Sequence, residues 1–100
     1  MLNYEISKKA FEDIEQIWFY TMKTWSVQQA DRYYNLIFDE IENITIYPLL
    51  GKDYGHIRKN YRCSTLKSHL IFYKYKNNEN LIEIIRILHQ SVDIEQKLKK

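Results

Sequence analysis

Apolar and polar positions alternate with period two over Leu2-Asn3-Tyr4-Glu5-Ile6, the pattern of a half-buried strand. After Ser7 the period lengthens. Phe11, Ile14, Ile17, Trp18 and Met22 recur at helical spacing behind a serine placed as an N-cap, which predicts a helix over about residues 8–24. Glu12 and Asp13 fall early in that helix, where they are expected to favour its dipole. Ser26-Val27-Gln28-Gln29 then reads as a capping box, Gln29 reaching back to the cap amide. Behind it Ala30, Tyr33, Tyr34, Ile37, Phe38, Ile41 and Ile44 form a broad apolar stripe, with Asp31, Arg32, Asn35, Asp39, Glu40 and Glu42 largely on the solvated side. Pro48 ends this second helix, because a residue preceding proline is pushed out of the helical region. The break at Trp25 and Ser26 is so short that the two helices must be antiparallel neighbours.

Beyond Pro48 a loop carries both glycines, Gly51 and Gly55, and the period returns to two. Ile57 to Leu66 reads as a polar, exposed strand and Leu70 to Tyr75 as a more apolar one. A turn follows at Asn77-Asn78-Glu79-Asn80. Leu81 to Leu88 is apolar on both faces apart from Glu83 and Arg86, which places it in the centre of the sheet. Asp93 stands as the cap of a short terminal helix, 94–98. The order is β-α-α-β-β-β, an α+β fold in which a helical hairpin packs on a mainly antiparallel four-stranded sheet, with a short C-terminal helix. Neither a repeat nor a linker interrupts it, so residues 1–100 are expected to form one domain.

Composition narrows the function classes. With 45% hydrophobic and 15% aromatic residues but two glycines and one proline, the chain is neither disordered nor of low complexity. It has no apolar stretch of membrane-spanning length, and its N-terminus lacks the apolar core of a signal peptide, so a cytoplasmic protein without a membrane partner is expected. A single cysteine, Cys63, excludes a disulfide framework and a thiolate zinc site. Net charge is only +2, but it is unevenly placed. Residues 1–50 hold four basic and eight acidic side chains, whereas residues 51–100 hold eleven and five. Between Lys52 and Lys76, seven cations (Lys52, Arg58, Lys59, Arg62, Lys67, Lys74 and Lys76) are opposed only by Asp53. Such a segment suits an anionic partner, or else a sheet edge blunted by lysines.

No nucleophile elbow, phosphate-cradling loop or dinucleotide fingerprint is present, so nucleotide cofactors are not expected. His56, His69 and His89 lack metal-ligand spacing, so no metal is expected either. Two readings compete for the basic cluster of Arg58, Lys59, Arg62, Lys67, Arg86 and His89. Metal-free RNA cleavage needs a base, an acid and fixed cations around the phosphate, and Arg62, Arg86 and His89 are of the right types. The simpler reading pairs Arg86 with Glu83 or another neighbour and lets His89 end its strand with a local hydrogen bond. The aromatic residues Trp18, Phe19, Trp25, Tyr33 and Tyr34 pose a similar choice, between stacking on bases and packing in a core or a partner-helix groove.

Several runs taken together resemble the RelE/ParE superfamily of type II toxins, and most closely its ParE branch. They are Asp13-Ile14-Glu15-Gln16-Ile17-Trp18 with Tyr20-Thr21 and Trp25, then Gln29-Ala30-Asp31-Arg32-Tyr33, then Tyr47-Pro48-Leu49-Leu50-Gly51. The C-terminal half adds Ile57-Arg58, Tyr61-Arg62, Ser68-His69-Leu70-Ile71-Phe72-Tyr73, Ile84-Ile85-Arg86-Ile87-Leu88-His89 and Val92-Asp93. The resemblance implies a small cytoplasmic toxin held in a hetero-oligomer by a cognate antitoxin. ParE-like toxins inhibit DNA gyrase without chemistry of their own, while RelE-like relatives cut mRNA on the ribosome. Leu88-His89 continues here into Gln90-Ser91 without the tyrosine some of those nucleases use, and Asp53 is the lone carboxylate near Gly51. The expectation is therefore no catalysis and no cofactor, with Arg58, Lys59, Arg62, Lys67, His69, Trp18, Trp25 and Tyr33 contacting target or antitoxin. Arg62, Arg86 and His89 are the catalytic set if the nuclease alternative holds.

Overall fold

The computed structural model describes residues 2–98. Strand β1 spans Asn3–Ile6, and helix α1 spans Lys8–Thr24. Ser7 caps the helix with extended backbone, its Oγ accepting from the Ala10 N–H at 3.0 Å. The same hydroxyl donates to the Ile85 carbonyl at 2.8 Å, tying the start of the helix to the sheet. Lys8 and Lys9 occupy the first turn, which holds no acidic residue, so the dipole role expected of Glu12 and Asp13 does not apply. Helix α2 spans Val27–Ile46 behind Ser26, whose Oγ accepts from the Gln29 N–H at 3.0 Å. The reciprocal bond of a capping box is replaced by one from Arg32 to Gln29 Oε1 at 3.4 Å.

The remaining elements are β2 (Lys52–Asp53), β3 (Tyr61–Leu66), β4 (His69–Lys76), β5 (Leu81–His89) and helix α3 (Ile94–Leu98). They form a mixed sheet of order β1-β5-β4-β3-β2, in which β1 runs parallel to β5 and the other pairs are antiparallel. The α+β architecture follows the sequence pattern, with three differences. A two-residue strand, β2, adds a fifth member at the β3 edge, and β4 rather than β5 lies in the middle. Ile57–Asn60 is not the beginning of a strand. Tyr54 instead closes turns on Ile57 and Arg58, Tyr61 N–H bonds to Arg58 O, and Asn60 takes the left-handed φ of 69°, so β3 starts only at Tyr61.

Two cores flank the sheet. On the helical side Ala10, Ile14, Ile37, Ile41 and Ile44 meet Ile71, Tyr73, Ile82, Ile84 and Ile87, each isoleucine contributing about 1.5–3 kcal/mol by burial. On the other face Phe72, Tyr61, Cys63 and Leu88 are covered by Leu98 of α3 together with Tyr54, Ile57, Val92 and Ile94. This explains why β4 and β5 are apolar on both faces: alternate residues enter different cores. Burial raises the Cys63 thiol to about 11, so it stays protonated and packs as a small apolar group. Among the described residues no helix is long and apolar enough to cross a membrane.

Candidate functional site

Arg86 is committed to the scaffold. Strand β1 covers β5 only from Leu81 to Ile84, so the later part of β5 presents an open edge toward α1. Asp13, one and a half turns into α1, fills that edge: its carboxylate accepts from Arg86 Nε at 2.8 Å, from Arg86 Nη2 at 3.0 Å and from the Ile87 backbone N–H at 2.9 Å. The side chains are 17% and 11% exposed, and the carboxylate bonds push the guanidinium pKa further up. Glu83, the partner suggested by the sequence, pairs with Lys76 instead at 3.3 Å. The local reading of His89 agrees with the geometry. Ser91 N–H donates to its Nδ1 at 3.1 Å, with Ser91 Oγ also at 2.7 Å, so Nδ1 is engaged as a local acceptor.

The end of the hairpin where α1 turns into α2 stands over the β3–β4 turn and leaves a groove of about 880 Å³. Trp25, Tyr33, Lys67, His69, Arg86 and His89, all singled out from the sequence, line it together. Asp13, Tyr20, Arg32, Leu36 and Lys97 are among the other residues of its walls. Its two imidazoles are opposed across β4 and β5, in T-shaped contact with centroids 5.4 Å apart. His69 Nδ1 lies 2.6 Å from the Tyr33 hydroxyl, which also reaches Leu66 O at 3.3 Å. Burial is the main reason the His69 pKa falls below its ordinary value; the neighbouring His89 lowers it further, and Asp13 acts against both. Burial likewise raises the Tyr33 phenol. His69 therefore gives up its charge more readily than an ordinary histidine, and Arg32, Lys67 and Lys97 supply cations to the groove beside the Asp13-paired Arg86.

Of the aromatic residues singled out on the helical hairpin, Tyr33 packs against the first core, and the others divide between rim and surface. Trp25 is 74% exposed at the groove mouth, and Tyr34 and Phe19 are also exposed. Trp18 lies outside the groove, donating from Nε1 to Asp31 at 2.9 Å and edge-on to Phe19. Trp25 and Tyr33 meet the groove reading, while the inward positions of the helices go mainly to alanine and isoleucine, and Phe11 faces out of the first helix's stripe.

Arg62, Arg58 and Lys59 lie at the opposite end. Arg62 Nη1 donates to Gly51 O at 2.8 Å and to Leu49 O at 3.3 Å, while Arg58 and Lys59 are exposed on the 54–60 loop. The register places Arg62 four residues along β3 from Leu66, which pairs through His69 to His89. That separates Arg62 and His89 by about 16 Å, from the rise along a strand and the spacing across two. Arg62, Arg86 and His89 are thus not gathered around one point. Asp13, Tyr20 and Ser91 were not singled out as site residues; periodicity along one segment carries no sign of partners contributed by another.

Comparison with known proteins agrees with this architecture. A family model described as ParE toxin of type II toxin-antitoxin system, parDE, matches residues 4–94. Toxin ParE1 of Caulobacter vibrioides is 36% identical over 93 residues, covering 93% of this chain and 94% of the relative. Toxin ParE1 of Mycobacterium tuberculosis is 33% identical over 95 residues, covering 95% and 96%. Among solved structures, the chromosomal ParDE TA system from P. aeruginosa superposes with a TM-score of 0.76 at 18% identity, over 89% of this chain and 96% of that one. A metal-bound toxin from Helicobacter pylori has a TM-score of 0.52 at 19% identity, over 91% and 97%, and shares the fold. On the family match and the near full-length identity, the chain belongs to the ParE family of toxins from type II toxin–antitoxin systems.

Proposed function

We propose that this protein is a cytoplasmic, single-domain toxin that arrests growth by inhibiting DNA gyrase, without catalysis of its own, and that a cognate antitoxin neutralises it in a hetero-oligomer. The observation that carries the reading is the ParE family match over nearly the whole chain. The dispersal of Arg62, Arg86 and His89 supports a non-catalytic mode: two guanidiniums are held by internal acceptors, and His89 Nδ1 is engaged by Ser91. The structural neighbour from P. aeruginosa is described as a ParDE system, which supports an antitoxin partner here. Its segment would lie in the groove, apolar side chains against Ile17, Leu36 and Trp25 and carboxylates toward Arg32, Lys67 and Lys97.

Purified protein added to gyrase supercoiling reactions tests this. The expected result is loss of supercoiling with accumulation of cleaved plasmid. Cleavage of mRNA on ribosomes, abolished by His89→Ala, would support the ribosome-dependent endoribonuclease instead.

A further inference from the structure

At the C-terminal end of α2, about 20 Å along the helix from Tyr33, the chain holds apolar side chains in solvent. Leu49 is 63% exposed and Leu50 78%, with Ile46 and Tyr47 also exposed beside them. The loop beneath is braced from inside the protein. Tyr73 is wholly buried, and its hydroxyl donates to Pro48 O at 2.9 Å while accepting from the Gly51 N–H at 3.2 Å. Arg62 bonds to the carbonyls of Leu49 and Gly51, and Leu50 N–H closes the turn on Tyr47 O at 3.2 Å. A Cβ at residue 51 would collide with the Tyr73 hydroxyl and ring, so glycine lets the loop seat on that group. A buried tyrosine and an arginine thus fix a loop that hides none of its leucines.

Cations outnumber carboxylates around it. Leu49 borders a depression shared with Lys59, Arg62 and Asp53, and Leu50 one shared with Lys52 and Glu40; Asp53 accepts from the Gly55 N–H and Glu40 from the Ser64 hydroxyl. The two ion pairs among the described residues involve none of Lys52, Arg58 and Lys59.

We infer that the Tyr47–Leu50 loop is the surface that engages the target: an apolar tip with a cationic collar, inserted into a carboxylate-rimmed pocket on a folded protein. This rests on the gyrase reading for the identity of the target, but not for the existence of the contact. Shape selects the class of partner. A flexible segment gains by folding into a concave groove, whereas a convex tip has to meet a pocket that already exists. The rigid loop loses little conformational freedom on docking, and the collar favours an acidic rim while making two such tips repel.

The double variant Leu49→Ser/Leu50→Ser tests the inference, with Val27→Ser, an exposed apolar site at the far end of α2, as control. Circular dichroism and melting should match the parent, because the leucines are in solvent. Expressed alone, the double variant should lose growth arrest while Val27→Ser keeps it, and half-inhibition of purified gyrase should need at least tenfold more of the double variant. Undiminished arrest by the folded double variant overturns the inference, as does a parent dimer in sedimentation that the variant abolishes while keeping arrest. If the parent leaves gyrase untouched, the gyrase reading fails, and loss of arrest in the double variant still supports the tip against another folded target.

Discussion

Replacing Asp13 by alanine removes a carboxylate that accepts three hydrogen bonds, two from Arg86 and one from the Ile87 N–H. It leaves a mostly buried guanidinium and an edge amide without their acceptor. Breaking a fully buried pair costs about 3–5 kcal/mol. Arg86 retains some solvent access, so that range is discounted, and with the stranded amide the expected loss is about 2–4 kcal/mol. For a chain of this size that lowers Tm by roughly 10–20 °C, readable by circular dichroism or by urea unfolding with an unchanged slope. Asp13→Asn keeps an acceptor but not the charge and should lose about half as much. In a double-mutant cycle with Arg86→Met, the two changes together should cost at least about 1 kcal/mol less than their sum. A Tm for Asp13→Ala within 2–3 °C of the parent would falsify the view that Arg86 is a structural clamp, and would return it to the candidate chemistry.

Other consequences can be checked with the same material. Ile84, wholly buried between sheet and helices, should cost about 2–5 kcal/mol when cut to alanine, whereas exposed Phe11 should cost well under half as much. Because the His69 pKa is lowered in the folded state, the unfolded chain binds that proton more readily; the contribution of His69 is complete above about pH 6.5 and is lost as pH falls below it. Urea titrations between pH 7.5 and 5 should therefore show a smaller acid loss for His69→Gln than for the parent, and equal losses would contradict the assignment. Reversing exposed Arg32 and Lys67, which line the groove proposed for the antitoxin, to glutamate should slow association with a cognate antitoxin and flatten its salt dependence without lowering Tm. Stopped-flow rates unchanged at low salt would remove the steering argument.

Both helices could be read from the chain because their determinants are local: serine caps, a repeating apolar stripe and a proline stop. The fold class followed from the change of period after Pro48. Long-range partnerships were not legible. Arg86 and Asp13 are 73 residues apart, and only the parallel pairing of β1 with β5 brings α1 against that edge. The 57–60 segment looks extended, but the positive φ at Asn60 and the bonds back to Tyr54 turn it into a cover for the second core. Aromatic periodicity misled for a related reason. Trp18 lies on a helix whose inward positions are filled by alanine and isoleucine, and Trp25 caps its end, leaving the larger rings on margins and rims. Among the residues singled out, Trp25, Tyr33, Lys67, His69, Arg86 and His89 share one groove, whereas Arg58, Lys59 and Arg62 belong to the other end of the molecule.

The central claim, a gyrase-directed toxin without catalysis of its own, meets its most direct test in pulse labelling of cells that express the chain alone from a tightly controlled promoter. DNA synthesis should fall within the first minutes, ahead of protein synthesis, and double-strand breaks should appear. Protein synthesis failing first, with mRNA cut in phase with codons, would contradict the account.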